Sequence, residues 1–371
     1  MLGMVIFFLF YFFVLRTGVP VVNGYTSQGN TMNFSEPGMM KQSDFCLESV
    51  NRSCPKITYP TAIRIPLYIF FMTIIVLTMC GNLLVIISIA HFKQLHTPTN
   101  YLILSLAVTD FLLAVVIMPP SMVRTIETCW YFGDVVCKIY LSTDVMLSNV
   151  SILNLSFISI DRYYAVCQPL HYRTKITTCT AGIMILISWN LSFIIGFGMI
   201  FMKLNILGIE DFYYNTIHCF GGCFFFVSKT SAILASVLSF YIPGFIMLVI
   251  YKKIFHVAQK QARSIHSTAC NNVNSEISKM EQKATKTLAI VLGVYLSCWA
   301  PFFLCNIIDP IINYSIPPAL YDSLIWICYL NSTCNPFVYS FFYIWFRKAF
   351  KMIIFGNIFQ AHSSRTKLST D

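Results

Sequence analysis

VVCKIYLSTDVMLSNVSILNLSFISIDRYYAVCQ, residues 135–168, is one long apolar run that, past Lys138 at its outer end, is broken by Asp144 and by the triplet Asp161-Arg162-Tyr163. It is the third of seven such runs, at roughly 64–90, 99–123, 135–168, 180–202, 227–255, 282–308 and 318–342. Each reaches the ~20 apolar residues that a bilayer span needs. One run by itself could be a buried helix of a soluble protein. Seven in one chain, joined by short polar connectors, predict an all-α membrane protein, a seven-transmembrane helix bundle. Pro66, Pro119, Pro243, Pro301 and Pro336 fall within or near the ends of these runs. In a membrane bundle neighbouring helices can re-satisfy the backbone groups that proline frees.

Composition agrees. Of 371 residues 57% are hydrophobic and 11% charged, with 33 Phe and 20 Tyr. Soluble domains carry roughly a quarter charged residues, so lipid is the expected solvent. The net charge of +10 could suggest nucleic acid. The basic residues flank apolar runs and form no patch on a soluble fold, which excludes that partner. Their distribution orients the chain by the positive-inside rule. With the N-terminus outside, Lys93, Arg162, Arg173, Lys252, Lys253 and Lys286, among others, fall on the cytoplasmic side. The expected location is the cell membrane, multi-pass, with the N-terminus extracellular.

The expected parts are a leader at 1–24, an extracellular segment at 25–62, the seven-helix domain at 63–343, and an amphipathic helix with a cytoplasmic tail at 344–371. Met4 to Leu15 is too short to span a bilayer and resembles a signal-peptide core. Asn33 and Asn51 open glycosylation sequons in the extracellular segment. From Trp345 apolar and basic residues alternate at helical spacing, so a short eighth helix should lie on the inner membrane surface. Fourteen Cys include no metal-spaced set. Six of them, Cys46, Cys54, Cys129, Cys137, Cys219 and Cys223, lie at the outer end, where disulfides form. Their spacing leaves 15 pairings open.

A charge near the bilayer centre costs at least ~2.5–3.5 kcal/mol, so each one needs a reason. Asp144 lies about two helical turns below Cys137, and a carboxylate there would pair with a ligand ammonium. Trp299, Phe302 and Phe303 near the Pro301 bend, with Trp326 and Tyr329 on one face of the seventh run, would ring it. An anion with aromatic faces suits an organic cation. Asp110, on the second run, could share a cavity with Asn82, Ser151, Asn331, Ser332 and Asn335. That set reads either as a site for Na⁺ or as a polar network linking helices, and both can hold together. Arg162 can be neutralised by Asp161, with Glu281 at the start of the sixth run a further candidate partner. Breaking this lock would let the inner ends separate, a two-state element a ligand could bias. No nucleophile elbow, phosphate loop or metal motif is visible, so no enzyme is expected. No internal repeat supports a cation-coupled transporter.

Gly81-Asn82, Leu104-Ser-Leu-Ala-Val-Thr-Asp110, Asp161-Arg162-Tyr163, Trp189, Cys298-Trp299-Ala300-Pro301 and Asn335-Pro336-Phe-Val-Tyr339 occur in order and at matching depth. Together they resemble the rhodopsin-like, G-protein-coupled receptor pattern over about residues 60–360. The seventh run has no lysine, which excludes a retinal-binding opsin. His91–Asn100, Cys129-Trp-Tyr-Phe-Gly133, Phe157–Cys167 and Asn331–Pro336 are similar to the trace amine-associated receptor family. His218–Cys223, Ser239–Gly244 and Ser363-Ser-Arg-Thr-Lys-Leu368 resemble that family's first member most.

The resemblance implies a receptor for small primary arylalkylamines such as phenethylamine and tyramine, acting through a stimulatory G protein and cAMP. The alternative is a biogenic amine receptor of the serotonin, dopamine or histamine type. It implies Asp144 as the ammonium anchor, with Ser148 beside it. It implies a Cys137–Cys223 disulfide, and further suggests Cys46 with Cys219 and Cys54 with Cys129. Coupling would involve Asp161, Arg162, Tyr163, Tyr251, Asn335, Pro336 and Tyr339. The fourth run lacks the proline usual after its Trp, so its outer half is expected to bend differently. Ala235 on the fifth run cannot hydrogen-bond a ligand hydroxyl, leaving that role to Ser236 and Ser239.

Overall fold

The computed structural model describes residues 45–48, 50–267, 272–342, 344–360, 363–366 and 368, and side chains outside 261–288 and 341–344. The leader, Asn33, the side chain of Glu281 and the extracellular segment's first half lie outside what is described. Among the described residues six helices are long and apolar enough to cross a membrane. They are α1 (Thr61–His91), α2 (Pro98–Glu127), α3 (Gly133–Cys167), α4 (Thr178–Phe201), α5 (Lys229–Lys260) and the segment Ala289–Ile308 of α6 (Asn272–Ile308). The seventh, α7 (Pro318–Phe342), has the length. It also carries Ser323, Asn331, Ser332, Thr333 and Asn335, all buried within the bundle. Polar groups are tolerated in a span when they face protein. An eighth helix, α8 (Ile344–Ile354), follows, with Phe346 and Ala349 buried and Arg347 and Lys351 exposed.

Local chemistry sets several helix starts. The side chains of Thr97, Thr177 and Ser228 accept from the amides of Asn100, Thr180 and Ser231, capping α2, α4 and α5. Two spans contain a π turn just before proline, Leu113–Ile117 ahead of Pro119 and Val237–Tyr241 ahead of Pro243. Proline donates no amide hydrogen, so the preceding turn re-pairs with a wider spacing. The amide of Met118 bonds Leu113 and that of Ile242 bonds Val237, five residues back in each case. Each turn shifts the phase of its helix beyond that point.

Packing is centred on α3, which touches α2, α4 and α5. The buried face of α4 carries Ala181, Ser188, Ser192, Gly196 and Ile200, all but the last small. Small residues let membrane helices approach closely. A Cβ on Gly196 would lie 2.5 Å from the carbonyl oxygen of Ser142 and 2.9 Å from the amide of Met146. The opposite face of α4, with Ile183, Leu186, Ile187 and Ile194, is exposed and apolar, as lipid requires. α4 runs unbroken to Phe201.

Three disulfides close the outer end: Cys137–Cys223, Cys46–Cys129 and Cys54–Cys219. The last two correct the expected pairs Cys46–Cys219 and Cys54–Cys129. The reason lies in backbone pairing between distant segments. The Cys54 amide donates to the Phe220 carbonyl at 2.8 Å, and the Phe220 amide to the Arg52 carbonyl at 3.0 Å. This parallel bridge sets Cys54 beside Cys219, with their Cα atoms 5.0 Å apart. The Trp130 amide bonds the Gly221 carbonyl at 2.8 Å, bringing Cys129 to the same place. Gly221, at φ +83°, leaves room there: a Cβ on it would sit 2.7 Å from that of Cys46. The segment around residues 45–55 is thereby tied both to the α2–α3 loop and to the long outer loop between α4 and α5.

Candidate ligand-binding site

Beneath this outer cover lies a cavity of about 90 Å³ between α3, α5, α6 and α7. Asp144 of α3 lines it. Its Oδ2 accepts from the Tyr329 hydroxyl at 2.9 Å. Tyr329 also meets Ser121 Oγ at 3.2 Å, and Ser121 meets the Tyr140 hydroxyl at 2.5 Å. A hydroxyl relay across α2, α3 and α7 thus holds one carboxylate oxygen. The other, Oδ1, is buried and takes no hydrogen bond among the described residues. A buried carboxylate half-satisfied in this way favours a cationic guest.

Aromatic rings form the opposite wall. Trp299, Phe302 and Phe303 of α6 line the cavity. Phe303 lies 5.9 Å from Trp299, 5.4 Å from Phe302 and 4.9 Å from Phe240 of α5, all ring centroid to centroid. Phe225 from the outer loop closes the top. On α5, Ala235 and Ser239 face inward, with Asn306 across from them.

Of the ligand set expected from sequence, Asp144, Ser148, Ser239, Trp299, Phe302, Phe303 and Tyr329 are brought to this cavity. Two are not, which corrects their expected placement. Ser236 is turned away and accepts from Asn306 Nδ2 at 3.3 Å. Trp326 stacks on Phe71 of α1 at 4.1 Å and donates to Thr125 Oγ1 at 3.2 Å. Three residues advance a helix by about 300°, so Trp326 and Tyr329 diverge by ~60°. That suffices to aim one at α1 and α2 and the other at Asp144.

A buried ion pair was missed by sequence reading. Arg124 of α2 donates to Asp322 Oδ1 of α7 at 2.8 Å and to the Cys223 carbonyl at 3.0 Å. Arg124 lines the inner cavity and also an outer one of about 80 Å³ with Asp309 and Tyr314. The signal was present as single opposite charges at the outer ends of two apolar runs.

Deeper in the bundle, Asp110 accepts from Ser332 Oγ at 2.7 Å, Asn335 Nδ2 at 2.7 Å and Ser151 Oγ at 3.4 Å. Asn82 joins through the Ser332 carbonyl at 3.2 Å, and its Oδ1 is buried without a partner among the described residues. Asn331 is buried nearby on α7 and makes no hydrogen bond to Asp110. This oxygen-rich set fits a hard cation such as Na⁺ and equally serves as a helix-linking network. Trp189 completes the packing here, donating to Ser105 Oγ at 3.1 Å, the oxygen that also accepts from Asn154.

At the inner end Asp161 is fully buried and accepts from Arg162 Nε at 2.8 Å. Thr99 Oγ1 donates to Asp161 Oδ2 at 2.9 Å and the Tyr172 hydroxyl to Oδ1 at 3.1 Å. These two partners, from α2 and the short helix Pro169–Lys175, were not expected. Burial also pushes the Tyr172 phenol above its ordinary pKa. Tyr163 packs with Tyr251 beside Ile254, and Lys253 Nζ sits 5.7 Å from its ring centre. Tyr339 packs at the inner floor with Val85, Ile89 and Phe346. Asn51 is exposed at the outer end.

Residues 81–339 match the family described as 7 transmembrane receptor (rhodopsin family). Trace amine-associated receptor 1 of Macaca mulatta is 56% identical over 330 residues, covering 87% of this chain and 98% of its own. The Homo sapiens protein of that name is 54% identical, covering 87% and 97%. Trace amine-associated receptor 4 of Mus musculus is 48% identical over 343 residues, covering 91% and 99%.

Proposed function

The chain belongs to the rhodopsin family of seven-transmembrane receptors and within it to the trace amine-associated receptors, and from that premise we propose that it is a receptor for small primary arylalkylamines. One observation carries this reading: a buried carboxylate with one oxygen held by Tyr329 and the other unpartnered, facing a wall of aromatic rings. The ligand ammonium pairs with Asp144 Oδ1 and lies near Ser148. The aryl ring rests against Trp299, Phe302 and Phe303, where a cation and its ring both find favourable faces. Ala235 offers no hydrogen bond, and Ser239 is the α5 hydroxyl that can meet a phenol. A single ring hydroxyl is therefore accommodated and a catechol pair is not favoured.

Ligand binding biases a two-state bundle. The ring presses on Trp299 and Phe303, and the inner part of α6 moves outward. The Asp161–Arg162 pair opens, freeing Arg162, with Tyr163, Tyr251 and Tyr339, to line a cleft for a G protein of the stimulatory type, which raises cAMP. Asn335 and Pro336 let α7 adjust against Asp110. Asp110, Ser151 and Ser332 would be the residues to hold Na⁺, which would supply charge neutralisation there. The receptor sits in the cell membrane with its N-terminus outside and Asn51 available for glycosylation.

The test is a cAMP reporter titrated with phenethylamine and tyramine. Removing one partner of a desolvated ion pair costs about 2–5 kcal/mol, so Asp144→Ala should lose at least thirtyfold in potency at equal surface expression. Unchanged potency would overturn the anchor role.

A further inference from the structure

The Arg124–Asp322 pair stands at the edge of the amine cavity and plays no part in the mechanism given above. Among the described residues lining that cavity, Arg124 is the only cationic side chain and Asp144 the only carboxylate. Arg124 is buried, and two of its nitrogens are engaged. Nη1 donates to the Cys223 carbonyl at 3.0 Å and Nη2 to Asp322 Oδ1 at 2.8 Å. The third, Nε, is buried and has no acceptor among the described residues. Asp322 does not line the inner cavity; it faces the outer one, which Asp309 also lines. A ligand in the inner cavity therefore meets a guanidinium whose charge is already balanced from behind.

We propose that Asp322, by holding the charge of Arg124, makes the cavity selective for arylalkylamines over their parent α-amino acids. This rests on the amine reading above and names what that site rejects. Asp144 and Asp322 carry two negative charges and Arg124 one positive, a net charge of −1. A monocationic amine brings the buried set to zero. An α-amino acid carries the same ammonium and the same aryl ring, with a carboxylate on the carbon next to the nitrogen. Its ammonium satisfies Asp144 Oδ1, but its carboxylate brings one more negative charge into a cavity that Phe225 closes at the top. Arg124 can offer that carboxylate the open Nε–H, yet Asp322 already balances its positive charge. A buried charge without a countercharge is costly. With Asp322 neutral, the set of Asp144 and Arg124 sums to zero and suits a zwitterion. Its ammonium then pairs with Asp144 and its carboxylate with Arg124, since a guanidinium is well matched to a carboxylate.

The experiment is displacement of radiolabelled tyramine from membranes bearing the full-length receptor, at about pH 6.5 so that α-amino groups are protonated. The competitors are phenylalanine and phenylalaninamide, which match in shape and differ by one charge. On the native chain phenylalaninamide should bind at least about a hundredfold more tightly than phenylalanine, the size of one buried, unpaired charge. In Asp322→Asn that ratio should shrink at least about tenfold, through tighter binding of phenylalanine. Arg124→Met combined with Asp322→Asn should return the ratio to the native value, because the cation that receives the carboxylate is gone. The number of tyramine sites reports how much of each variant is folded, and the native ratio needs no variant at all. Equal binding of the two competitors on the native chain overturns the proposal. So does an Asp322→Asn variant that binds tyramine and keeps the native ratio. Absence of tyramine binding to the native chain would overturn the amine reading itself, whereas tyramine binding with these ratios unmoved overturns only the role of Asp322.

Discussion

Replacing Asp322 by Asn tests whether the Arg124–Asp322 pair is an integral brace of the outer bundle. The two groups meet at 2.8 Å, with Arg124 8% and Asp322 25% exposed by side chain. At an effective dielectric of ~20 the gross attraction at that distance is roughly 6 kcal/mol. Desolvation of both ions cancels much of it, but breaking one side of a buried pair still costs about 3–5 kcal/mol, because the remaining charge is stranded. Asparagine keeps a neutral acceptor, and Arg124 keeps the Cys223 carbonyl at 3.0 Å, so the expected loss is about 2–3 kcal/mol. Arg124→Met strands Asp322 instead, which is wetter and should cost less. The double variant strands neither charge and should recover part of the loss. The assay is thermal unfolding of purified receptor at one fixed scan rate, since membrane receptors unfold irreversibly. Single variants should melt several degrees lower, and the double variant should melt higher than the sum of the two single shifts predicts. Additive shifts in melting temperature, the behaviour of independent sites, would refute the account.

Three further outcomes follow from specific contacts. Ser239→Ala should weaken tyramine about tenfold, the size of one hydrogen bond, while leaving phenethylamine within twofold, as read in the cAMP reporter. Equal losses for both would deny Ser239 a phenol contact. Gly196→Ala places a methyl 2.5 Å from the Ser142 carbonyl, so α4 must back away from α3 at a cost of about 1–3 kcal/mol; the melting temperature of the variant, unaltered, would contradict that approach. Non-reduced peptide mapping should recover Cys46 joined to Cys129 and Cys54 joined to Cys219, whereas peptides joining Cys46 to Cys219 would reverse the assignment.

The bundle was legible because its signals are local. Apolar length, proline position and Lys/Arg placement are read along one run at a time, and each obeys the bilayer's demands independently of the others. Asp110, Asp144 and Asp161 were legible for the same reason: an intramembrane carboxylate is costly wherever the rest of the chain lies. What needed the tertiary structure was direction and partnership. Ser236 and Ser239 differ by less than a turn, yet one bonds Asn306 and the other faces the cavity, next to a π turn that the run's apolarity does not reveal. Trp326 and Tyr329 looked equivalent and were separated by ~60° of helix rotation. The cysteine partners depended on backbone hydrogen bonds between segments about 165 residues apart in sequence, and no spacing rule reaches that far. Arg124 and Asp322, each unremarked at the end of its run, became a pair only when α2 and α7 were laid side by side. Local free energy chose the spans and the charges worth keeping, and the phase and contact of one helix against another decided what those charges and rings can hold.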